Sequence, residues 1–219
     1  MSTGRWFRPR TIWLPTWRVW LVLCLTVVLG ECWVATRLHG WLAVSAPIER
    51  ARYVVVEGWV PDVVARQALD WSNRHGVKLI FTTGIPLEKG QFLFNYPTHA
   101  EICAETLIGM GADPLKVRPA PAAMVGVQRT RAMAMGLKKA LDAEQIPATE
   151  RQINLFTSGT HAFRSRMHFQ RVLGKDWQVG VVSVPSEGYP ANAWWRYSEG
   201  VKSVIDEVIG IAVQGLSGG

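Results

Sequence analysis

The chain has 219 residues and a formal net charge of +7, from 24 Lys and Arg against 17 Asp and Glu. Residues 1–46 hold five Arg and one Glu and account for +4 of this charge, so the remainder is only mildly basic. No basic run interleaved with aromatic residues marks that remainder, which argues against nucleic-acid binding. The three cysteines lack metal-ligand spacing, and no H-x-H, D-x-D or C-x-x-C cluster occurs. We therefore expect no metal and no cofactor.

The N-terminal region combines a basic arm with an apolar segment. Residues 1–18 carry four Arg and three Trp, and residues 19–35 are apolar except for Thr26 and Glu31. This pattern predicts a cytoplasmic arm over 1–18 and a transmembrane signal anchor over 19–44, because the Arg-rich side of a span stays in the cytoplasm. The alternative is a signal peptide cleaved after Val44-Ser45-Ala46, but Pro47 directly after that site favours an uncleaved anchor. The rest of the chain is then expected outside the cytoplasm.

From residue 51 the sequence alternates between strand and helix patterns. Strands are predicted at 53–57, 78–82, 117–118, 153–157 and 179–184, and helices at 62–75, 97–110, 126–143, 159–173 and 197–213. A flexible tail is expected over 215–219. Such alternation predicts an α/β, Rossmann-like three-layer domain over 51–214 with a mostly parallel five-stranded sheet in the order 3-2-1-4-5. Ligands are then expected at the carboxyl ends of strands one and four, where the strand order reverses.

The end of strand one supplies two candidate ligand-binding residues. Gly58, in Glu57-Gly58-Trp59, would let the backbone approach a ligand. Asp62 could bind a hydroxyl group or a cation, or it could only cap the following helix. This turn is not a G-x-G-x-x-G motif, so no dinucleotide fingerprint is present.

Further candidates follow strands two and three. Thr83 and Gly84 end strand two with hydroxyl and backbone N–H donors that could hold an anion. Glu101, near the start of the next helix, is a candidate general base, with a first-turn acid that satisfies the helix dipole as the alternative. Arg129 and Thr130 lie early in the third helix, where contact with an anion is expected.

The segment after strand four carries the strongest signal. A strand that turns sharply into a helix presents backbone N–H groups to an anion, and Ser158 adds a hydroxyl donor. His161 and Arg164 are one helical turn apart and can face the same ligand. We interpret Ser158 as an anion ligand rather than a nucleophile, because the segment lacks the G-x-S-x-G elbow. His161 joins Glu101 as an acid–base candidate, whereas His99 and His168 are expected on the surface.

These pieces, in this order, resemble the YdcF/SanA/ElyC family of bacterial envelope proteins over roughly residues 51–213. The resemblance rests on Tyr53–Gly58, Arg66, Ala68, Phe81–Gly84, Thr98–Glu101, Arg129-Thr130 and the spacing Thr157-Ser158-x-x-His161-x-x-Arg164. It implies a single-pass protein of the bacterial inner membrane with a role in envelope biogenesis, around lipid-linked wall precursors. Strand one departs from the Leu-Gly-Gly type of turn, since Trp59 follows Gly58 and would narrow the crevice.

Two hypotheses for function follow. The first is an envelope protein or enzyme that acts on a small anionic, phosphorylated ligand. The second is a non-catalytic binding or scaffolding subunit of a membrane protein complex, with Trp177, Trp194 and Trp195 as exposed anchors.

Overall fold

A computed structural model describes residues 14–89 and 96–216 of the chain. The chain divides into two compact units, Met1–Arg37 and Leu38–Gly219. Most of the expected basic arm (residues 1–13) and the end of the expected tail (217–219) lie outside the described residues.

The first helix, α1, spans Trp17–Leu42 and is long and apolar enough, by length and composition, to cross a membrane. Its 26 residues extend about 39 Å, more than the ~30 Å of a bilayer hydrocarbon core. Between Trp17 and Val34 its apolar side chains are exposed. Near its end, His39 and Leu42 are buried in the second unit.

The second unit contains a five-stranded parallel sheet in the order β3-β2-β1-β4-β5, which confirms the predicted topology. The strands are β1 Tyr53–Glu57, β2 Leu79–Gly84, β3 Val117–Pro121, β4 Gln152–Ser158 and β5 Gln178–Val184. The remaining helices are α2 Asp62–His75, α3 His99–Gly109, α4 Arg129–Ala143, α5 Ala162–Leu173 and α6 Ser198–Leu216.

Helices cover both faces of the sheet, and their apolar side chains pack against those of the strands. A parallel sheet is usually buried on both faces in this way. Helices α2 and α3 pack on the face that carries Val54 and Val56 of β1. Helices α4 and α5 pack on the opposite face, which carries Tyr53 and Val55. Successive residues of a strand point to opposite faces, so this alternation determines which side chains reach the site described below.

Several features differ from the sequence expectation. Helix α6 continues to Leu216, into the tail expected over 215–219. β3 extends through Pro119 to Pro121, beyond the two residues predicted, because an edge strand tolerates prolines that a central strand excludes. The predicted helix over 159–173 starts as a 3-10 turn at Gly159–His161 before α5 begins. Trp177 and Trp194 are buried rather than exposed, so of the three expected anchors only Trp195 is exposed.

The segment after α1 is joined to the sheet by backbone pairing. Ala46 forms an antiparallel bridge with Val181 of β5, donating and accepting one backbone hydrogen bond. The buried Asn154 side chain donates to the Ile48 carbonyl at 2.9 Å and accepts from the Ile48 N–H at 2.8 Å. Residues 46–48 are therefore part of the folded domain.

Candidate functional site

On the α4–α5 face of the sheet, three strands change from apolar to polar at their carboxyl ends. Val55 is followed on this face by Glu57 in β1, and Leu155 by Thr157 in β4. Thr83 of β2 lies in register with Glu57. All three polar residues are fully buried. Their convergence follows from the parallel order, which brings the carboxyl ends of β2, β1 and β4 to one edge.

The Glu57 carboxylate is held by hydroxyl groups. It accepts hydrogen bonds from Thr157 Oγ1 and from Ser165 Oγ, the latter at 3.0 and 3.1 Å to its two oxygens. The neighbouring Thr83 hydroxyl is buried and has no hydrogen-bond partner among the described residues. These hydroxyl groups orient the Glu57 carboxylate, but they carry no charge and so do not neutralise it.

His161 ends the turn between β4 and α5, and only 8% of it is exposed. Its Nδ1 lies 2.6 Å from Glu207 Oε1. A carboxylate accepts hydrogen bonds, so Nδ1 carries the proton and donates it. Arg164 Nη2 lies 3.0 Å from the same Nδ1. The two nitrogens do not bond to each other in this arrangement, because each donates to Glu207 Oε1. Nε2 has no hydrogen-bond partner in the described chain and lies 3.9 Å from Glu57 Oε1.

Glu207 of α6 also binds Arg164 of α5 in a bidentate pair, with Nε–Oε2 at 2.6 Å and Nη2–Oε1 at 2.9 Å. Burial alone would raise the pKa of Glu207, but hydrogen bonds from Arg164 and His161 outweigh it and lower the pKa to about 2. Burial works against the charged guanidinium, yet the bonds to Glu207 raise the pKa of Arg164. Both groups of the pair are therefore ionised at neutral pH.

The buried residues Glu57, His161 and Glu207 form one cluster with the partly buried Arg164, which we call the His161 cluster. It contains two carboxyl groups, one guanidinium and one imidazole. The Arg164–Glu207 pair is ionised, and its two charges compensate each other. The imidazole is held at Nδ1 by Glu207, and its Nε2 has no hydrogen-bond partner in the described chain.

The His161 cluster adjoins a cavity of about 740 Å³, which is within the usual range for small-ligand sites. Its polar lining includes Arg129, Thr130, His161 and Arg164, which the sequence predicted as ligand-binding residues. The other lining residues are Trp59, Ile85, His99, Gly126, Val127, Gln128, Met133, Gly210, Val213 and Gln214. Arg129 also forms an ion pair with Glu88 at 2.5 Å, in which both side chains are more than half exposed. The cavity therefore combines cationic groups with a largely apolar wall.

Several predicted site residues lie elsewhere. A Cβ atom at Gly58 would overlap the backbone oxygen of His99, and one at Gly84 would overlap the backbone nitrogen of Ala100. Both glycines therefore allow the start of α3 to pack against the end of the sheet. We had predicted that Gly58 admits a ligand and that Gly84 supplies an N–H donor to an anion, and neither residue lines the cavity. Asp62 is exposed in the first turn of α2.

Glu101 and Ser158 are not among the residues that line the cavity. The Glu101 carboxylate accepts hydrogen bonds from the Thr98 N–H and hydroxyl, each at 2.9 Å, in a capping box at the start of α3. This arrangement matches the first-turn alternative rather than the general base. Ser158 is half-buried at the last position of β4 and pairs in register with Val184.

Two histidines expected on the surface are placed differently. His168 of α5 is buried, and burial together with the surrounding arginines lowers its pKa to about 4. His99 is half-buried, lines the cavity, and has a pKa lowered by burial. The prediction that His168 lies on the surface is wrong, because His168 and the adjacent Phe169 both belong to the buried side of α5.

Sequence reasoning did not include Glu57 or Glu207 among the site residues. For Glu57 the signal is a carboxylate that directly follows the buried run Tyr53–Val56. Glu207 is buried beside Val204 on α6, but the helix also carries Glu199, Lys202 and Asp206, so its sequence does not single out this acid. Among the described residues, no three His, Cys, Asp or Glu side chains are grouped as a metal site requires.

Comparison of the chain with protein-family models finds no match, and a search of the curated proteins finds none either. Function is therefore inferred from the geometry of the cavity and of the His161 cluster.

Proposed function

We propose that the protein is a membrane-anchored component of envelope biogenesis whose α/β domain binds an anionic, phosphorylated, amphiphilic ligand outside the cytoplasm. A lipid-linked wall precursor of the kind suggested by the YdcF/SanA/ElyC resemblance is the ligand class we favour. The observation that carries the proposal is the cavity, in which Arg129, Thr130, His161 and Arg164 meet an apolar wall.

The polar side of the cavity has the donors that a phosphate group needs. Arg129 and Thr130 are the first two residues of α4, and the preceding Gln128 also lines the cavity. The start of α4 therefore contributes the positive end of the helix dipole and unpaired backbone N–H groups. A guanidinium has five N–H donors, so Arg164 retains donors beyond the two nitrogens that bind Glu207.

The apolar side of the cavity provides a surface against which a hydrocarbon or isoprenoid chain can pack. Trp59, Val127 and Met133 line the cavity beside the arginines. A free inorganic anion would gain nothing from this wall, whereas an amphiphile buries its chain there at about 25 cal/mol per Å² of apolar surface. A lipid-linked phosphate uses both sides.

The proposed location depends on α1 and on the segment after it. The Arg-rich arm before α1 supports an N-terminus in the cytoplasm and a domain on the other side of the membrane. Residues 44–48 support retention of the anchor, because Val44 packs against the core and Ala46 pairs with β5. A reporter fused after Gly219 should be active only in the exported compartment. Mass spectrometry should detect the N-terminal peptide, and a mature chain that starts at Pro47 would refute retention.

The binding proposal is tested with full-length protein in a maltoside detergent and three small ligands. Phenyl phosphate carries both an anion and an apolar group, whereas inorganic phosphate and phenol each carry one of them. We expect phenyl phosphate to bind at least tenfold more tightly than either fragment by titration calorimetry, because it uses both sides of the cavity.

A matched pair of variants locates the site. Arg129→Gln should weaken phenyl phosphate binding about tenfold, as expected for the loss of one charge-assisted hydrogen bond. Arg131→Gln, two positions along the same helix and outside the cavity lining, should bind like the parent. Equal affinity of both variants, or no binding of phenyl phosphate to the parent, would refute the proposal.

The second candidate, a binding or scaffolding subunit, is favoured by one observation. Trp195 and Tyr197, together with Ile205 and Ile209 of α6, are exposed apolar side chains of the domain. Stoichiometric co-purification with a membrane complex, in a protein that does not bind phenyl phosphate, would support this candidate over the first.

A further inference from the structure

We infer that the cavity is a catalytic site in which His161 is the general base for hydrolysis of a phosphate ester. In this inference Glu207 is the positioning residue, and Glu57 orients the attacking water. The inference rests on the proposed function and specifies the reaction at the same site.

The hydrogen bond to Glu207 determines which nitrogen of His161 can act as a base. Because Nδ1 donates its proton to Glu207 at 2.6 Å, the lone pair of the neutral ring lies on Nε2. Nε2 is buried and has no hydrogen-bond partner among the described residues, while the residue itself lines the cavity. A histidine oriented by a carboxylate through one nitrogen, with the other available, has the arrangement of a general base.

Glu57 provides the second contact for a water molecule. Its Oε1 lies 3.9 Å from His161 Nε2, too far for a direct hydrogen bond. Two hydrogen bonds of about 2.8 Å that meet at one oxygen span 3.9 Å when the angle between them is about 90°. In the proposed step one water takes this position and donates one hydrogen to Nε2 and the other to Oε1. Because Nε2 and Glu57 are buried and Glu57 does not line the cavity, this water enters when the Trp59 ring, which packs against His161, moves aside. Thr157 and Ser165 hold the Glu57 carboxylate in the orientation that receives it.

Such a water directs its oxygen lone pairs away from its two acceptors. In the proposed step the water oxygen forms a bond to phosphorus while its proton passes to His161 Nε2. The bond between phosphorus and the ester oxygen breaks, and the electron pair of that bond stays on the ester oxygen. Because that oxygen lies opposite the attacking water in an in-line displacement, it takes a proton from solvent and leaves as an alcohol, while the imidazolium releases its proton to solvent. Nothing is oxidised or reduced, and the products are one alcohol and one phosphate.

The surroundings suit this chemistry. Arg129 and Arg164 line the same cavity and can stabilise charge on the phosphoryl oxygens. Glu207 is ionised at neutral pH and stabilises the imidazolium that forms when Nε2 takes up the proton. The Trp59 ring packs edge-on against His161 at 4.9 Å and limits the access of bulk water.

The test measures release of inorganic phosphate from phenyl phosphate by the full-length protein in detergent. His161→Gly should lower kcat by about 10²–10⁴-fold, the usual contribution of a general base. Added imidazole should restore part of this activity, because it can enter the space that the side chain leaves. A purely structural role for His161 would not give rescue by imidazole. His75→Gly, at the end of α2, is the control and should release phosphate like the parent, with no response to imidazole.

Glu207→Gln tests the positioning role. We expect kcat to fall at least tenfold while KM stays the same or decreases, because Arg164 is released from its carboxylate partner and remains available to the ligand. A rise in KM with kcat unchanged would show that Glu207 serves only ligand binding.

The outcomes separate this inference from the proposed function. Tight binding of phenyl phosphate without any phosphate release by the parent would overturn the inference and leave the binding proposal intact. Phosphate release that survives His161→Gly would overturn the role of His161. If phenyl phosphate does not bind, the proposed function fails and the inference fails with it.

Discussion

Replacing Glu207 by Gln should destabilise the domain strongly, although the two side chains have almost the same size. Glu207 accepts hydrogen bonds from both Arg164 and His161, and its side chain is almost completely buried. The amide has no charge, and its NH₂ group faces donors where the carboxylate had a second acceptor. The partly buried guanidinium of Arg164 would lose its bidentate counter-ion.

The magnitude follows from the ionisation of the carboxyl group. The pKa of Glu207 falls from an ordinary 4.5 to about 2 on folding. At neutral pH this difference corresponds to about 3 kcal/mol of stability, since one pKa unit corresponds to about 1.4 kcal/mol. An independent comparison, the cost of about 3–5 kcal/mol for removing one partner of a buried ion pair, agrees. A chain of this size should then melt roughly 6–12 °C lower.

The assay is a thermal melt followed by tryptophan fluorescence, with Asp206→Asn as the control. Asp206 is the exposed neighbour of Glu207 on α6, so the control makes the same change in charge outside the cluster and should melt within about 1 °C of the parent. The sign of the pH dependence provides a second check. Because folding lowers the pKa of Glu207, its contribution is present above pH 4.5 and is lost as the pH falls toward 2. Equal melting temperatures for both variants at pH 7 would refute the reasoning.

Three further predictions follow. Gly58→Ala should lower the free energy of unfolding by more than about 2 kcal/mol, because the added Cβ overlaps backbone atoms at the start of α3. The control Gly109→Ala adds a Cβ that meets no atom within 4 Å and should leave the stability unchanged or raise it. Similar denaturation midpoints for the two variants would contradict this prediction. The parent protein should lose stability as the pH falls from 6.5 toward 4, because folding lowers the pKa of His168 to about 4. His168→Gln should flatten this part of the curve of stability against pH. An unchanged slope in the variant would show that other groups cause the pH dependence. Glu88→Gln should strengthen phenyl phosphate binding a few-fold by releasing Arg129 from its ion pair, and weaker binding in calorimetry would show that Glu88 helps to hold the ligand.

The fold could be predicted because β1, β2, β4 and β5 each contain a compact apolar run, and β1, β2 and β4 end at a glycine-containing turn. The helix α2 shows the same clarity: it begins after Pro61 and ends at Gly76, which adopts the left-handed conformation of a C-cap. The prediction was weakest at β3, where Pro119 and Pro121 resemble loop residues. Only tertiary context, namely the position of β3 at the sheet edge, allows these prolines in a strand.

The candidate site could be predicted only in part. Arg129 and Arg164 carry positive charge next to helix starts, and the fold places both beside one cavity. Glu101 shows the limit, since an acid in a first helical turn has the same sequence pattern whether it caps the helix or faces a ligand. Glu207 shows another limit: it lies 46 residues after His161, and no local pattern tells which face of α6 packs against the start of α5.

The pairing of residues 46–48 with the sheet has a consequence for how the protein matures. A peptidase needs an extended segment whose backbone groups are not already paired, and Ala46 gives both its N–H and its carbonyl to Val181. Once β4 and β5 have formed, cleavage after Ala46 requires that this segment first opens locally. If the domain is exported as proposed, retention of the anchor then depends on whether the domain folds before a peptidase reaches this segment. Substitutions that slow the formation of the Asn154–Ile48 contact should lengthen the time during which the junction can be cut.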